Sequence, residues 1–163
     1  MTSTETEFTS VLWDSAAESF ETMIMSPITE ITEEQFGIGL APSYTGSITF
    51  MGGLKGVILV QCETESAAAI TKSMLMMEAD EEVEPSEVKD AIGEVANLVL
   101  GGFKSRIAEQ YGDIDISIPT VIEGQEVRPA IGAGASRCNV YGKADNFVVG
   151  ISIVCKSTDV YKT

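Results

Sequence analysis

The chain has 163 residues, 44% of them apolar, enough for one domain over 1–163 with a real core. Ten Lys and Arg stand against 25 Asp and Glu, a net charge of −15 with the cations scattered, so the chain repels nucleic acid and anionic membranes, whose phosphates need basic patches. It has no histidine, which excludes imidazole bases, Ser-His and Cys-His nucleophile systems and His-containing metal sites.

Residues 1–8 are Thr- and Glu-rich, with neither a basic region nor an apolar run, so no signal peptide is expected and this end is predicted to fray. A helix follows over about 9–25, with Phe8, Leu12, Ala16 and Phe20 as its apolar stripe and Pro27 closing it. Residues 28–38 read as irregular or weakly extended, and Pro42 argues against a central strand there. Strands over 43–51 and 55–62 flank Gly52-Gly53, a tight-turn signal. A helix over about 65–77 carries Met74, Met76 and Met77, a cluster that reads as core packing.

The acidic stretch 78–87 reads as a loop whose carboxylates favour the N-terminus of the next helix, with Pro85 near its first turn. That helix is the longest, over about 86–110, and Tyr111-Gly112 ends it. A strand over 114–123 containing Pro119 comes next, then a Gly-, Ala- and Pro-rich loop over 124–136. Strands over 137–142 and 146–156 form a second hairpin. No stretch approaches eighteen apolar residues, so no membrane span is expected. Cys62, Cys138 and Cys155 are odd in number and form no CxxC pair; they read as buried free thiols of a reducing compartment, and the chain is expected to be cytoplasmic.

The order helix, extended segment, hairpin occurs over 9–62 and again over 86–155. The hairpin exits correspond, Val57-Ile-Leu-Val-Gln-Cys62 beside Val149-Gly-Ile-Ser-Ile-Val-Cys155. The expected fold class is therefore α+β: a pseudo-two-fold domain with an antiparallel-rich sheet and two long helices packed on one face.

On the long helix, at roughly 100° per residue, Asp90, Glu94 and Asn97 fall within about 60° of one another. Val88, Ala91, Ile92, Val95, Val99 and Phe103 centre on the opposite side, and Gly101 follows Asn97 by one turn on the polar face. By itself a carboxylate and a carboxamide at i and i+3 make a solvated helix face. Gly93, Gly101 and Gly102 are poor helix residues, each unfavourable by about 1 kcal/mol relative to Ala, and they make sense where another backbone comes close. Competing motifs are weak. Gly132-Ala-Gly134-Ala-Ser136 lacks the lysine and context of a phosphate loop, the acidic run 78–87 lacks calcium-loop spacing, and no GxSxG occurs.

The pattern Asp90-x3-Glu94-x2-Asn97-x21-Pro119 resembles the signature of the CheC/CheX/FliY family of phosphatases, which act on the phosphorylated chemotaxis response regulator CheY. All four positions match, and the repeated architecture is similar to the family's pseudo-symmetric layout. CheC-type members carry one motif in each half. Here the first helix offers Asp14-x3-Glu18-x2-Glu21, with Glu21 where Asn is needed and Pro42 after twenty residues, a decayed copy. One intact motif in the second half is closest to CheX. The resemblance implies a phosphoaspartate hydrolase in which Asn97 orients the attacking water and Glu94 docks the receiver's lysine, making these two the catalytic pair. It also implies that Asp90 contacts the partner, Gly101 gives the partner's loop room and Pro119 shapes the strand near the site. No metal or cofactor of its own is implied, the Mg2+ belonging to the receiver. The implied partners are a phosphorylated CheY-like receiver and a second copy in a homodimer. The alternative is a non-catalytic binding module of the FliM/FliN switch type, for which neither Glu94 nor Asn97 is needed.

Overall fold

The structure, a computed structural model, describes residues 2–37, 43–124 and 132–158. Helix α1 (Ser3–Thr22) is followed by the short strand β1 (Thr29–Glu30) and the one-turn helix α2 (Glu33–Phe36). The hairpin β2 (Ser43–Gly52) and β3 (Leu54–Glu63) leads into α3 (Thr64–Met74), and α4 (Pro85–Tyr111) is the longest element. Strands β4 (Ile114–Ile116) and β5 (Thr120–Gly124) precede the second hairpin, β6 (Ser136–Lys143) and β7 (Val148–Ser157).

One antiparallel sheet has the order β1-β6-β7-β3-β2-β4, with β5 also on β2. Exchanging β1 with β4, β2 with β6 and β3 with β7 turns this order into its own reverse, so a pseudo-two-fold axis passes between the central strands β3 and β7. Those strands pair Ile58 with Ile153 and Val60 with Ile151. Helix α1 lies over β6 and α4 over β2, so each long helix covers a strand from the opposite half. The two helices also touch each other, and their buried stripes form one core with Ile48, Ile58, Val60, Ile151 and Ile153. The side chains between these on β3 and β7 point to the other face, where Val57, Leu59 and Val154 make a small second cluster.

Four expectations are corrected. Residues 2–8 do not fray: α1 starts at Ser3, because the Glu5 N–H donates to Thr2 Oγ1 (3.1 Å) and the Thr2 N–H to Glu5 Oε2 (3.0 Å), and Phe8 is buried. The irregular or weakly extended reading of 28–38 fits the two-residue strand β1 but misses α2, held by a Thr32–Gln35 capping box. The single strand 114–123 is two strands broken at 117–119. Finally, α3 stops at Met74, and Met76 takes a left-handed conformation (φ 55°) and is 93% exposed, so the methionine cluster is not all core. Pro42 and most of the loop 124–136 lie outside the described residues.

Candidate functional site

Helix α4 starts where Pro85 occupies its first turn and the Glu84 N–H is taken by Glu87 Oε1 at 3.0 Å. Its buried stripe holds Val88, Ala91, Ile92, Val95, Val99 and Phe103. That orientation leaves Asp90 and Glu94 exposed and Asn97 and Gly101 partly exposed on one face. The helix sits close to the sheet because Gly46 of β2 has no side chain: a Cβ there would stand 3.0 Å from Ile92 Cγ2.

Two neighbours frame the polar face. On one flank, a Cβ on Gly102 would stand 3.2 Å from Ser15 Cβ, so α1 presses against α4. On the other, a Cβ on Gly93 would stand 3.2 Å from Pro119 Cβ and 3.5 Å from Val121 Cγ2. Gly93 lies only about 40° from Asn97 around the helix. Pro119 therefore borders the Asn97 side of the face, where the sequence spacing alone shows a proline twenty-two positions downstream. Gly101 differs from both: nothing lies within 4 Å of where its Cβ would be, so the surface above it is open.

One turn further along the same flank, Lys104 Nζ meets Asp113 Oδ1 at 3.0 Å. The hydrogen bond and charge of Lys104 hold the Asp113 carboxyl below the usual carboxylate range. This pair ties the middle of α4 to the start of β4, and sequence reasoning missed it, since neither residue has a local pattern. Asp90, Glu94 and Asn97 have no side-chain hydrogen bond or ion pair among the described residues. Among the described residues their hydrogen-bonding capacity is unspent.

The matching face of α1 is spent differently. Asp14, Glu18 and Glu21 are exposed, but Glu18 Oε2 accepts a short charged hydrogen bond from Arg106 Nη2 of α4. Arg106 also donates to the Gly102 carbonyl at 3.2 Å. Among the described residues, no group of three or more Cys, Asp or Glu is placed to hold a metal ion. Burial pushes the thiols of Cys62 and Cys155 up to about 12, and Cys138 is raised for the same reason, so none is an activated nucleophile. No helix of the described residues is long and apolar enough to cross a membrane.

An antiparallel sheet with two long helices on one face, related by a pseudo-two-fold axis, is the fold of CheC- and CheX-like proteins. The model of the family described as "Chemotaxis phosphatase CheX" matches residues 44–141, more than half of the chain, and the chain belongs to that family. Its fold matches chemotaxis protein CheX from Vibrio vulnificus with a TM-score of 0.73 at 22% identity, over 92% of this chain and 97% of that one. A putative chemotaxis protein from Desulfovibrio vulgaris Hildenborough gives 0.74 at 19% identity, over 92% and 97%. CheX in the CheX–CheY–BeF3–Mg2+ complex from Borrelia burgdorferi gives 0.68 at 16% identity, over 92% and 98%. At these identities the likeness is one of fold. No curated protein matches the chain.

Proposed function

We propose that the Asp90–Asn97 face of α4 hydrolyses the phosphoaspartate of a CheY-like response regulator receiver. The observation that carries this reading is the pairing, on one helix face of a CheX-family chain, of a carboxylate and a carboxamide that no other described residue occupies. The Borrelia burgdorferi relative, captured with CheY, BeF3 and Mg2+, supports a receiver as the partner.

The reaction adds water to phosphorus in line with the aspartyl oxygen, breaks that O–P bond, and yields phosphate and the free carboxylate. Its transition state is loose, so positioning supplies most of the effect and no strong base is needed. Asn97 can both accept from the water and donate to a phosphoryl oxygen, and it orients the attack. Glu94 pairs with the receiver's lysine and sets the docking register. Asp90 contacts the partner near the start of the face, and the open surface over Gly101 admits the partner's loop. Pro119, held against Gly93, walls the Asn97 side. The Mg2+ is the receiver's own. The working form is a cytoplasmic homodimer.

The test is Asn97→Ala assayed on phosphorylated receivers from the same organism. The expected result is loss of accelerated phosphate release with receiver binding retained. Full activity in that variant would end the mechanism. A wild-type chain that binds a receiver without shortening its phosphoryl lifetime would describe a binding module instead.

A further inference from the structure

We infer that Ile118 is a specificity-determining anchor, an apolar side chain with which this chain holds the receiver beside the Asp90–Asn97 face. The inference rests on the phosphatase reading for the identity of the partner.

The break between β4 and β5 is a β-bulge. On β2, Phe50 pairs with Ile116 and Ser47 pairs with Thr120. Two residues of β2 thus stand opposite three on the edge, Ser117, Ile118 and Pro119. Such a bulge re-aims one side chain. This one is fixed at both ends. The Ser117 N–H donates to the Thr49 carbonyl at 2.9 Å, and the Thr49 N–H donates to Ser117 Oγ at 3.0 Å. Ser117 Oγ in turn donates to the Ile118 carbonyl at 3.1 Å. On the other side, Pro119 lies against Gly93 of α4, and its ring fixes φ.

Between these two anchors Ile118 is 84% exposed. A β-branched side chain has few rotamers to lose, and its backbone is already ordered, so burying it against a partner costs little entropy. Its place follows from Pro119. The next residue along touches α4 at Gly93, within one turn of both Glu94 and Asn97. A receiver whose phosphoryl group reaches Asn97 covers the Pro119 flank and meets Ile118. A second copy of this chain fits the bulge poorly. Two copies meeting along this edge would bring exposed Asp115 and Glu123 of each together, on chains of net charge −15.

The experiment uses the full chain and the receiver of the same organism that the wild type dephosphorylates or, failing turnover, binds. Ile118→Ser, Ile118→Val and Ile122→Ser are compared with wild type, Ile122 being a half-exposed isoleucine farther along the same edge. Two quantities are measured: KM for phosphate release, and Kd for the receiver loaded with beryllofluoride and Mg2+. Burial of one isoleucine corresponds to a rise of about tenfold in KM and Kd for Ile118→Ser, with kcat kept. Ile118→Val and Ile122→Ser should stay within about twofold of wild type. Unchanged KM and Kd in Ile118→Ser would overturn the inference. So would a fall in kcat at constant KM, which means a disturbed bulge, or a shift in the dimer with Kd intact, which means a contact between copies. Asn97→Ala, run alongside, separates the two proposals. Full activity in it ends the role given to Asn97, while the Kd of Ile118→Ser still decides this one. If no receiver is bound, both fall.

Discussion

Helices α1 and α4 occupy equivalent places about the pseudo-two-fold axis, and both carry an acid at i and i+4 on the face turned from the sheet. Asp14, Glu18 and Glu21 on α1 are matched by Asp90, Glu94 and Asn97 on α4. Two differences separate them. Position i+7 is a carboxylate on α1 and a carboxamide on α4, and only the amide can both donate and accept. The middle acid on α1 is also paired with Arg106, reaching from α4, whereas Glu94 has no cation beside it among the described residues. One helix thus spends its acid on holding the two helices together, and the other leaves its acid exposed and unpaired among the described residues. A docking carboxylate needs unsatisfied capacity at the surface, and the same residue type loses that capacity once a neighbouring cation takes it.

Breaking the α4 face should have the largest effect. Asn97→Ala should lower kcat for phosphoreceiver hydrolysis by about a hundredfold or more, the scale of losing one preorganised hydrogen-bonding group at a reacting centre. Thermal unfolding should be nearly unchanged, because the side chain has no partner among the described residues. Glu94→Ala should act on docking: KM rises about tenfold, the scale of a lost hydrogen bond to a charged group, and the effect shrinks as salt is raised.

Breaking the α1 face should cost stability instead. Arg106→Ala removes the link to Glu18 and the bond to the Gly102 carbonyl. Because the Arg106 and Glu18 side chains are 31% and 59% exposed, solvent screens the pair, and urea unfolding should show a loss of only about 1 kcal/mol or less. Turnover should stay within about twofold of wild type. The sharpest form of the comparison carries the smallest effect. Glu21→Asn, introduced into the Asn97→Ala chain, restores the amide on α1 but leaves Glu18 bound to Arg106. It should recover almost no hydrolysis, less than about twofold over the parent variant. Recovery of substantial activity would show that the amide alone makes the site.

The polar face of α4 was legible in the sequence because helical period is local: once Val88, Ile92, Val95 and Val99 are buried, Asp90, Glu94 and Asn97 have to face away. Both hairpins were legible for the same reason, since turn residues and β-branched runs lie within a few positions of one another. The N-terminal turn was misjudged although its capping box was there to be read, Thr2 with Glu5 three residues later. Met76 was misjudged because nothing in a methionine-rich stretch marks where the helix ends; its left-handed backbone lets the Met77 N–H close back on the Lys72 carbonyl at 2.9 Å and leaves the Met76 side chain outside.

By itself, then, the sequence determined the long helices, the two hairpins, the α+β class and which side chains of α4 share a face, all consequences of periodicities and turns spanning a few residues. The tertiary structure alone decided what stands beside that face. Pro119 against Gly93, Lys104 on Asp113, Arg106 on Glu18 and the bulge that exposes Ile118 each depend on the register of one element against another. Glu18 and Arg106 are 88 positions apart, and no local pattern encodes that they meet. Their distance is fixed only when both helices dock on a common sheet, and among the described residues that docking leaves Glu94 without a partner and Glu18 with one.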